Sequence, residues 1–478
     1  MSFPDLRTWI PQLEAAGELQ HVTKPVDPLR NLGALAWQGE NHLGKATMFH
    51  NLPDFPGWRA ISYAETSRKR LALAMGTTVK EFIPRMRERL KQGPTPFEKV
   101  NWGPVKEVVK LGAAIDLTAL PIHQHYEEDG GRYMGGGMLI IKDPETGDLN
   151  STLHRHMVFS RDEMGILIHP ARHTDIAYKK CEAMNRPLEF ALVIGHHPVL
   201  YFCTTWTFPK DVYELDMAGT FLGQPVPMVK CETVDLWAPA DAEIIIEGYI
   251  VPHDRREEGP FTEHTGYARA GSGKNPWCKV TAITHRKDAI YYALQGGKPI
   301  ASSQILDAIP QEIGIWERIK DVGGFVDLKD IVSLPYAGGS HIIVVQFTPR
   351  IEGEAKDVLL AALSSQYVHP KIAIAVDDDI DPHDPKELFW SLSTRVDPRR
   401  DIFIIEGTRG HHLDASLELI TPPGIAPQIR RGSKMGIDAT KPPTRNPDAR
   451  SFFTRSVPRG MREVNISDFI DRNFRWSE

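Results

Sequence analysis

Glu258 and Glu263 stand five residues apart in the stretch Glu258-Gly-Pro-Phe-Thr-Glu263-His-Thr-Gly266. Gly259 relaxes the backbone, while Pro260 fixes its own φ and biases Gly259 away from helix. A helix would set residues five apart on different faces, and a strand would set them on opposite sides. A bent loop instead lets both carboxylates converge on one partner. The stretch follows the strongly apolar run 243–250, so the loop leaves the end of a sheet, a position that sites favour. The plain alternative is a polar surface turn.

A converging pair of carboxylates needs a cation. Arg155 lies in an expected strand, where an unpaired buried Arg would be costly, and its fork can hold two carboxylates at once. The competing reading is an ion pair that serves structure alone. Asn150, His173 and Glu214 offer oxygen ligands with one imidazole, a set that suits Mn²⁺ or Mg²⁺ better than zinc. Spacing alone leaves His173 equally readable as a structural histidine. Nineteen histidines supply decoys, among them His154, His156, His196, His197, His411 and His412, and His196-His197-Pro reads as a structural loop pair. Asp377-Asp-Asp379 with Asp381 lacks the Gly and terminal Glu of a calcium loop and reads as a solvated strand end. Gly135-Gly-Gly137 precedes a strand instead of a helix, which speaks against a dinucleotide loop and for a bulge or a close approach of backbone to a ligand. Walker, G-x-S-x-G and H-E-x-x-H motifs are absent from the sequence.

The elements that must position these groups follow from periodicity and turn signals. Residues 3–20 read as an amphipathic helix, and Arg- and Lys-rich helices are expected at 66–75 and 80–92, before the linker Gly93-Pro94-Thr-Pro96. Strands are expected at 138–142, at a return strand carrying Asn150 to His156 after the turn 144–147, and at 165–168, 191–194, 199–202, 227–234 and 243–250. Helices are expected at 174–184 and 211–222. Many strands with few helices imply an antiparallel sheet or split barrel in an α+β chain. A helix over 304–321 connects to alternating strands (342–347, 372–376, 401–405) and helices (353–366, 385–394), the pattern of a separate α/β domain. The amphipathic stretch 467–476 suits docking on a neighbouring subunit or on its own domain.

At 478 residues the chain has room for two or three domains, and its 41% hydrophobic and 25% charged residues are ordinary for a globular protein. A net charge of −6 argues against nucleic acid as a partner. There is no signal-peptide pattern and no apolar run of the ~20 residues a membrane span needs. Four scattered cysteines give neither a zinc knot nor a disulfide frame, so a cytoplasmic protein is expected.

Together the stretches Asn150-Ser-Thr-Leu-His-Arg155, Arg172-His173, Glu214-Leu-Asp-Met-Ala-Gly219, Val229-Lys-Cys-Glu-Thr-Val234, Glu258-Gly-Pro-Phe-Thr-Glu263 and Asp377-Asp-Asp-Ile-Asp381 resemble the UbiD family of reversible carboxy-lyases, which use prenylated FMN. The likeness extends to Lys434-Met-Gly-Ile-Asp-Ala-Thr440. It implies an N-terminal α/β cap (1–118), a central antiparallel split-barrel-like domain that binds the flavin (119–303), a linker helix (304–322) and a C-terminal α/β oligomerisation domain with a terminal dimerisation helix (323–478). By motif position, Asn150, His173 and Glu214 would hold Mn²⁺ or Mg²⁺, and the cofactor would further meet Leu153, His154, Arg155, Arg172 and Lys371, the last chosen over Lys434 to complete the phosphate site. The resemblance also implies K⁺ near the carbonyls of Thr204 and Trp206, although the Cys203-Thr-Thr-Trp206 loop departs from the family pattern. The catalytic set would be Arg155, Glu258 and Glu263, with Glu263 as proton donor. The implied partners are an aromatic, heteroaromatic or α,β-unsaturated acid, CO₂, a flavin prenyltransferase as cofactor supplier, and further copies in a homodimer or homohexamer. The alternatives are a non-catalytic flavin-binding or maturation protein, or a flavin-independent metal-dependent hydrolase. Burial and Glu258 would raise the Glu263 pKa while Arg155 would lower it, and the sequence leaves the sign of the sum open.

Overall fold

A computed structural model describes residues 3–170, 172–268, 272–298, 300–323, 326–338, 341–368, 370–421 and 429–470. Six antiparallel strands close into a barrel: Tyr133–Lys142, Leu149–Val158, Glu163–Ile166, Trp277–His285, Ile244–Ile250 and Leu188–Ile194, the last pairing back to the first. Val108–Leu111 adds a seventh strand on Trp277–His285. The barrel can close because its strands are apolar on the inner face and because bulges bend two of them, between Met134 and Gly137 and between Glu247 and Gly248. The expected glycine bulge is therefore present, inside a strand that starts earlier than its apolar run. A Cβ on Gly137 would sit 2.3 Å from the Leu192 side chain, which would have to shift to admit it.

In front of the barrel, Leu6–Ala15 begins at an Asp5 capping box and gives way to the strand Leu19–Val22, so the expected N-terminal helix is shorter than its pattern. Arg68–Ala74 and Val79–Leu90 are the two basic helices. One apolar core runs without a break from Leu6 through the barrel to Ile313 on the helix Ser302–Gly323. Beyond it, a second sheet orders its strands Leu328–Ser333, Ile342–Phe347, Ile372–Val376, Arg430–Ala439, Ile402–Arg409. The three middle strands are parallel and the outer two are antiparallel, so of the three strands expected from the alternation, 342–347 and 372–376 run parallel while 401–405 falls in the antiparallel edge strand Ile402–Arg409.

Three expectations change. Residues 199–202, expected as a strand, lie in the helix Pro198–Thr204. Proline at the first turn and the His197 ring accepting from the Val199 N–H start a helix, and burial of all seven residues removes the polar alternation that would have marked it. The Asp377 cluster is solvated only in part, with Asp378 and Asp381 exposed. Asp377 is buried against Arg450 (2.6 Å), and Asp379 binds Arg395 (2.8 Å) and Lys441 (3.3 Å), so protein cations balance much of the cluster's charge. Arg430–Ala439 went unseen as a strand because its Arg, Gly, Ser and Lys carry little β propensity. Of the expected terminal helix, 471–478 lies outside the described residues, and Ile466–Asp468 forms a single 3₁₀ turn.

Candidate active site

The hairpin strand Leu149–Val158 carries Asn150 at its start and Arg155 near its end, so one element serves two clusters. At the Arg155 end, the short strand Arg256–Glu258 pairs with Gly273–Asn275 and delivers Glu258 to the guanidinium. Arg155 grips Glu258 in a fork, Nε to Oε1 at 3.1 Å and Nη2 to Oε2 at 2.7 Å, and its Nη1 donates to Glu263. Tyr133 donates its hydroxyl to Glu258 Oε1 (3.0 Å), and Asn275 donates to Oε2 (3.1 Å). The Phe261 ring centroid lies 5.2 Å from the guanidinium carbon. Arg155, Glu258 and Glu263 are 6%, 1% and 8% exposed, so the charges meet in a place water does not screen.

The two glutamates are not equivalent. Both Glu258 oxygens are filled by donors. Burial raises the Glu263 pKa above the ordinary carboxylate value, Arg155 pulls it back in part, and Glu258 and Asp129 push it further up. The sign that the sequence leaves open is upward. The loop between the glutamates is pinned from the side: Asp129 accepts the Thr262 N–H (2.8 Å), and the Gly130 N–H donates to the Pro260 carbonyl (2.8 Å).

At the other end of the hairpin strand, Asn150, His173 and Glu214 come together, with His173 and Glu214 each opening a helix, His173–Ala183 and Glu214–Leu222. Asn150 Nδ2 lies 2.7 Å from Glu214 Oε1 and 3.2 Å from His173 Nδ1. The Ser151 N–H donates to Glu214 Oε2 (2.7 Å). Burial pushes Glu214 up to about 7, against the pull of the Ser151 and Asn150 donors. Burial also lowers His173, with Arg172 and Lys210 adding to the effect. Asn150 Oδ1 is buried with no hydrogen-bond partner. Which amide atom faces Glu214 is an assignment, and turning the amide over presents that oxygen beside a carboxylate and a neutral imidazole. One buried oxygen in want of a partner and an N/O donor set fit a hard divalent cation.

The other sequence candidates sit at varied distances from these clusters. Leu153 is half-buried against the barrel core. His154 has both ring nitrogens engaged, with the Leu167 carbonyl (2.9 Å) and the Thr174 hydroxyl (3.2 Å), and burial lowers it to about 4. Arg172 faces Thr207 Oγ1 at 3.4 Å, and its charge pulls on the half-buried Asp307, which desolvation pushes up to about 7. Thr204 ends the helix that precedes Trp206. Lys371 is engaged in the C-terminal domain, 2.7 Å from Asp414 Oδ2 and 2.9 Å from Ser416 Oγ. Lys434 donates to the Leu363 carbonyl at 2.6 Å.

A seam of histidines escapes sequence reading. His169 Nδ1 lies 2.5 Å from His412 Nε2, the His411 and His412 ring centroids are 4.5 Å apart, and His411 meets His264 edge-on at 5.0 Å. The seam joins the barrel to the C-terminal domain beside Glu263. Burial lowers His264 and His412 to about 3, so these imidazoles are neutral at pH 7. A His-His dipeptide at 411–412 was the single signal, and spacing could not tell it from a surface pair.

Three family models match the chain, those of the 3-octaprenyl-4-hydroxybenzoate carboxy-lyase N-terminal domain (residues 10–90), Rift-related domain (98–299) and C-terminal domain (304–439). An uncharacterized protein of Archaeoglobus fulgidus is 31% identical over 92% of both chains. Among solved structures, the UbiD-class enzyme HmfF of Pelotomaculum thermopropionicum in complex with FMN is similar, with a TM-score of 0.87 and 32% identity over 98% of this chain and 100% of that one. An evolved dimeric form of HmfF in complex with prFMN gives a TM-score of 0.84 at 32% identity, with the same coverage. The 3,4-dihydroxybenzoic acid decarboxylase AroY of Klebsiella pneumoniae gives 0.85 at 28% identity, over 98% of this chain and 99% of that one.

Proposed function

The chain belongs to the UbiD family of carboxy-lyases, and we propose that it catalyses the reversible, non-oxidative decarboxylation of an aromatic, heteroaromatic or α,β-unsaturated acid with prenylated FMN. The observation that carries this reading is one buried guanidinium shared between a saturated carboxylate and a second carboxyl of raised pKa. When bound, prenylated FMN supplies the sink for the electrons that the departing carboxylate leaves behind. Arg155 orients the substrate carboxylate. Glu258 holds Arg155 in place. Glu263 delivers the proton that replaces CO₂ and recovers it from solvent, a cycle that a raised pKa serves. Asn150, His173 and Glu214 would hold the Mn²⁺ or Mg²⁺ that neutralises the cofactor phosphate, with K⁺ beside Thr204 and Trp206.

In this reading a flavin prenyltransferase supplies the cofactor, and the C-terminal domain carries self-association. Apolar side chains left exposed along 452–470, Phe452, Ile466 and Phe469 among them, support a tail that docks on another copy. The test is expression with and without a flavin prenyltransferase, followed by absorbance spectra and CO₂ release from a panel of aromatic acids. A flavin band with CO₂ release confined to the co-expressed sample supports the proposal. Activity that survives without any flavin favours the metal-dependent hydrolase alternative, and no cofactor uptake in the presence of Mn²⁺ overturns the reading of the site.

The loop contact gives a further prediction. A Cβ on Gly130 would stand 2.4 Å from the Gly259 carbonyl oxygen and 2.8 Å from its carbon, and backbone cannot yield as a side-chain tip does. Gly130→Ala is expected to shift the glutamate loop against Arg155 and to slow CO₂ release by a factor on the order of 10². Mn²⁺ titration of the same variant should match the unaltered protein, because the metal cluster lies at the other end of the strand.

A further inference from the structure

We infer that Asp129 is a positioning residue for the proposed proton donor: it fixes the backbone one residue ahead of Glu263 and brings to the glutamate loop a buried negative charge with no cation of its own. The assignment deepens the carboxy-lyase reading and rests on it for the role of Glu263. Asp129 lies shortly ahead of the barrel strand Tyr133–Lys142 and is 6% exposed. Its two carboxylate oxygens are divided between two segments. Oδ1 accepts the Thr262 N–H (2.8 Å), and Oδ2 accepts the Tyr126 N–H (3.0 Å). Tyr126 in turn donates its hydroxyl to the Gly296 carbonyl (3.1 Å) and accepts the Lys298 N–H (3.1 Å). One carboxylate thereby ties the glutamate loop to the loop that follows the strand Ile290–Tyr292.

Pinning alone does not call for a charge. Neutral acceptors also bind backbone N–H groups, and burying a carboxylate without a cation is costly. Among the described residues, no Lys, Arg or His comes within ion-pair distance of Asp129. Burial lowers the pKa of His125 against the pull of Asp129, so that imidazole is neutral at pH 7. The charge is felt at the site instead. The charged groups that act on Glu263 are Arg155 from the hairpin strand, Glu258 from the strand Arg256–Glu258, and Asp129, while the seam imidazoles His264 and His412 are neutral. With Glu263 ionised, three carboxylates therefore answer to one guanidinium. Protonating Glu263 removes one of them, and Asp129 favours that form. The same charge adds to burial and Glu258 in raising the pKa of the Tyr133 hydroxyl, which donates to Glu258.

The test compares the full-length chain with Asp129→Asn, Asp129→Ser and Asp129→Glu. Two readouts are followed against pH: CO₂ release by the holo chain at saturating acid, and the carboxyl stretch of Glu263 in the chain without cofactor, taken as the infrared difference from Glu263→Gln. In the two neutral variants the fall of rate with rising pH should move to lower pH by on the order of one unit, and the infrared titration should move with it, because a like charge has been removed. Above the midpoint this reads as a rate slower by a factor of about ten. Asp129→Glu keeps the charge, so both titrations should stay at their unaltered positions while the longer side chain lowers the rate at every pH. A uniform loss of rate in the neutral variants, with both titrations unmoved, makes Asp129 a structural acceptor alone and overturns the proposal. Failure of both neutral variants to fold does the same. No CO₂ release by the unaltered holo chain counts against the carboxy-lyase reading alone, since the infrared titration without cofactor still decides for or against Asp129.

Discussion

Glu263→Gln is expected to take up cofactor as the unaltered chain does and to release CO₂ at least ~10³-fold more slowly, within the range a positioned acid contributes. Glutamine keeps the shape and can still accept from Arg155, so the variant removes the proton and little else. The pH profile separates this role from a structural one. Burial raises the Glu263 pKa, and the protonated acid is the form that delivers, so the rate constant at saturating substrate should fall as pH rises through that raised pKa. The fall should be missing from the residual rate of Glu263→Gln. Stability has the same sign. A carboxyl whose folded pKa is raised contributes stability that is full below the ordinary carboxylate range and is lost as pH rises through the folded value. Across that window the unaltered chain should lose thermal stability relative to Glu263→Gln. Normal turnover by Glu263→Gln, or parallel pH profiles, would remove Glu263 from proton transfer.

Residue type and order carried the site further than they carried the fold. The five-residue spacing across Gly259-Pro260 made a bent loop necessary if the glutamates were to share a partner, and Arg155 sat in a strand where it had to be neutralised. Both inferences are local, and both describe the geometry at the guanidinium. The helix Pro198–Thr204 was illegible because its apolar run is buried all round, and periodicity says nothing where every face is core. The upward shift of Glu263 was illegible for another reason. It is the sum of burial, Arg155, Glu258 and Asp129, and its sign depends on depths and distances that only the fold fixes. Lys371 shows what motif position leaves out. The sequence offers a lysine at a suitable place, and only the packing shows that Asp414 lies beside it.

Arg155→Met should lower stability as well as activity, because the change strands charge. Glu258 is buried, and losing Arg155 leaves only the Tyr133 and Asn275 donors among its described hydrogen bonds. Breaking a buried pair from one side costs about 3–5 kcal/mol. In a chain of this size that corresponds to a thermal midpoint lowered on the order of 5–10 °C. Methionine fills much of the volume of the arginine stem and keeps an apolar contact with Phe261, which limits the contribution of a cavity. The loss should shrink on acidification, since a carboxyl deprived of its cation can take up a proton and become neutral. It should also shrink in Arg155→Met with Glu258→Gln, where no charge is stranded at Glu258, although CO₂ release stays abolished in both. A midpoint within 1 °C of the unaltered chain for Arg155→Met at neutral pH would mean that water reaches the guanidinium, and the raised pKa assigned to Glu263 would lose its cause. The stability and the proposed chemistry of this site thus rest on the same exclusion of water, which lets one guanidinium fix Glu258 while burial holds the Glu263 pKa above its ordinary value.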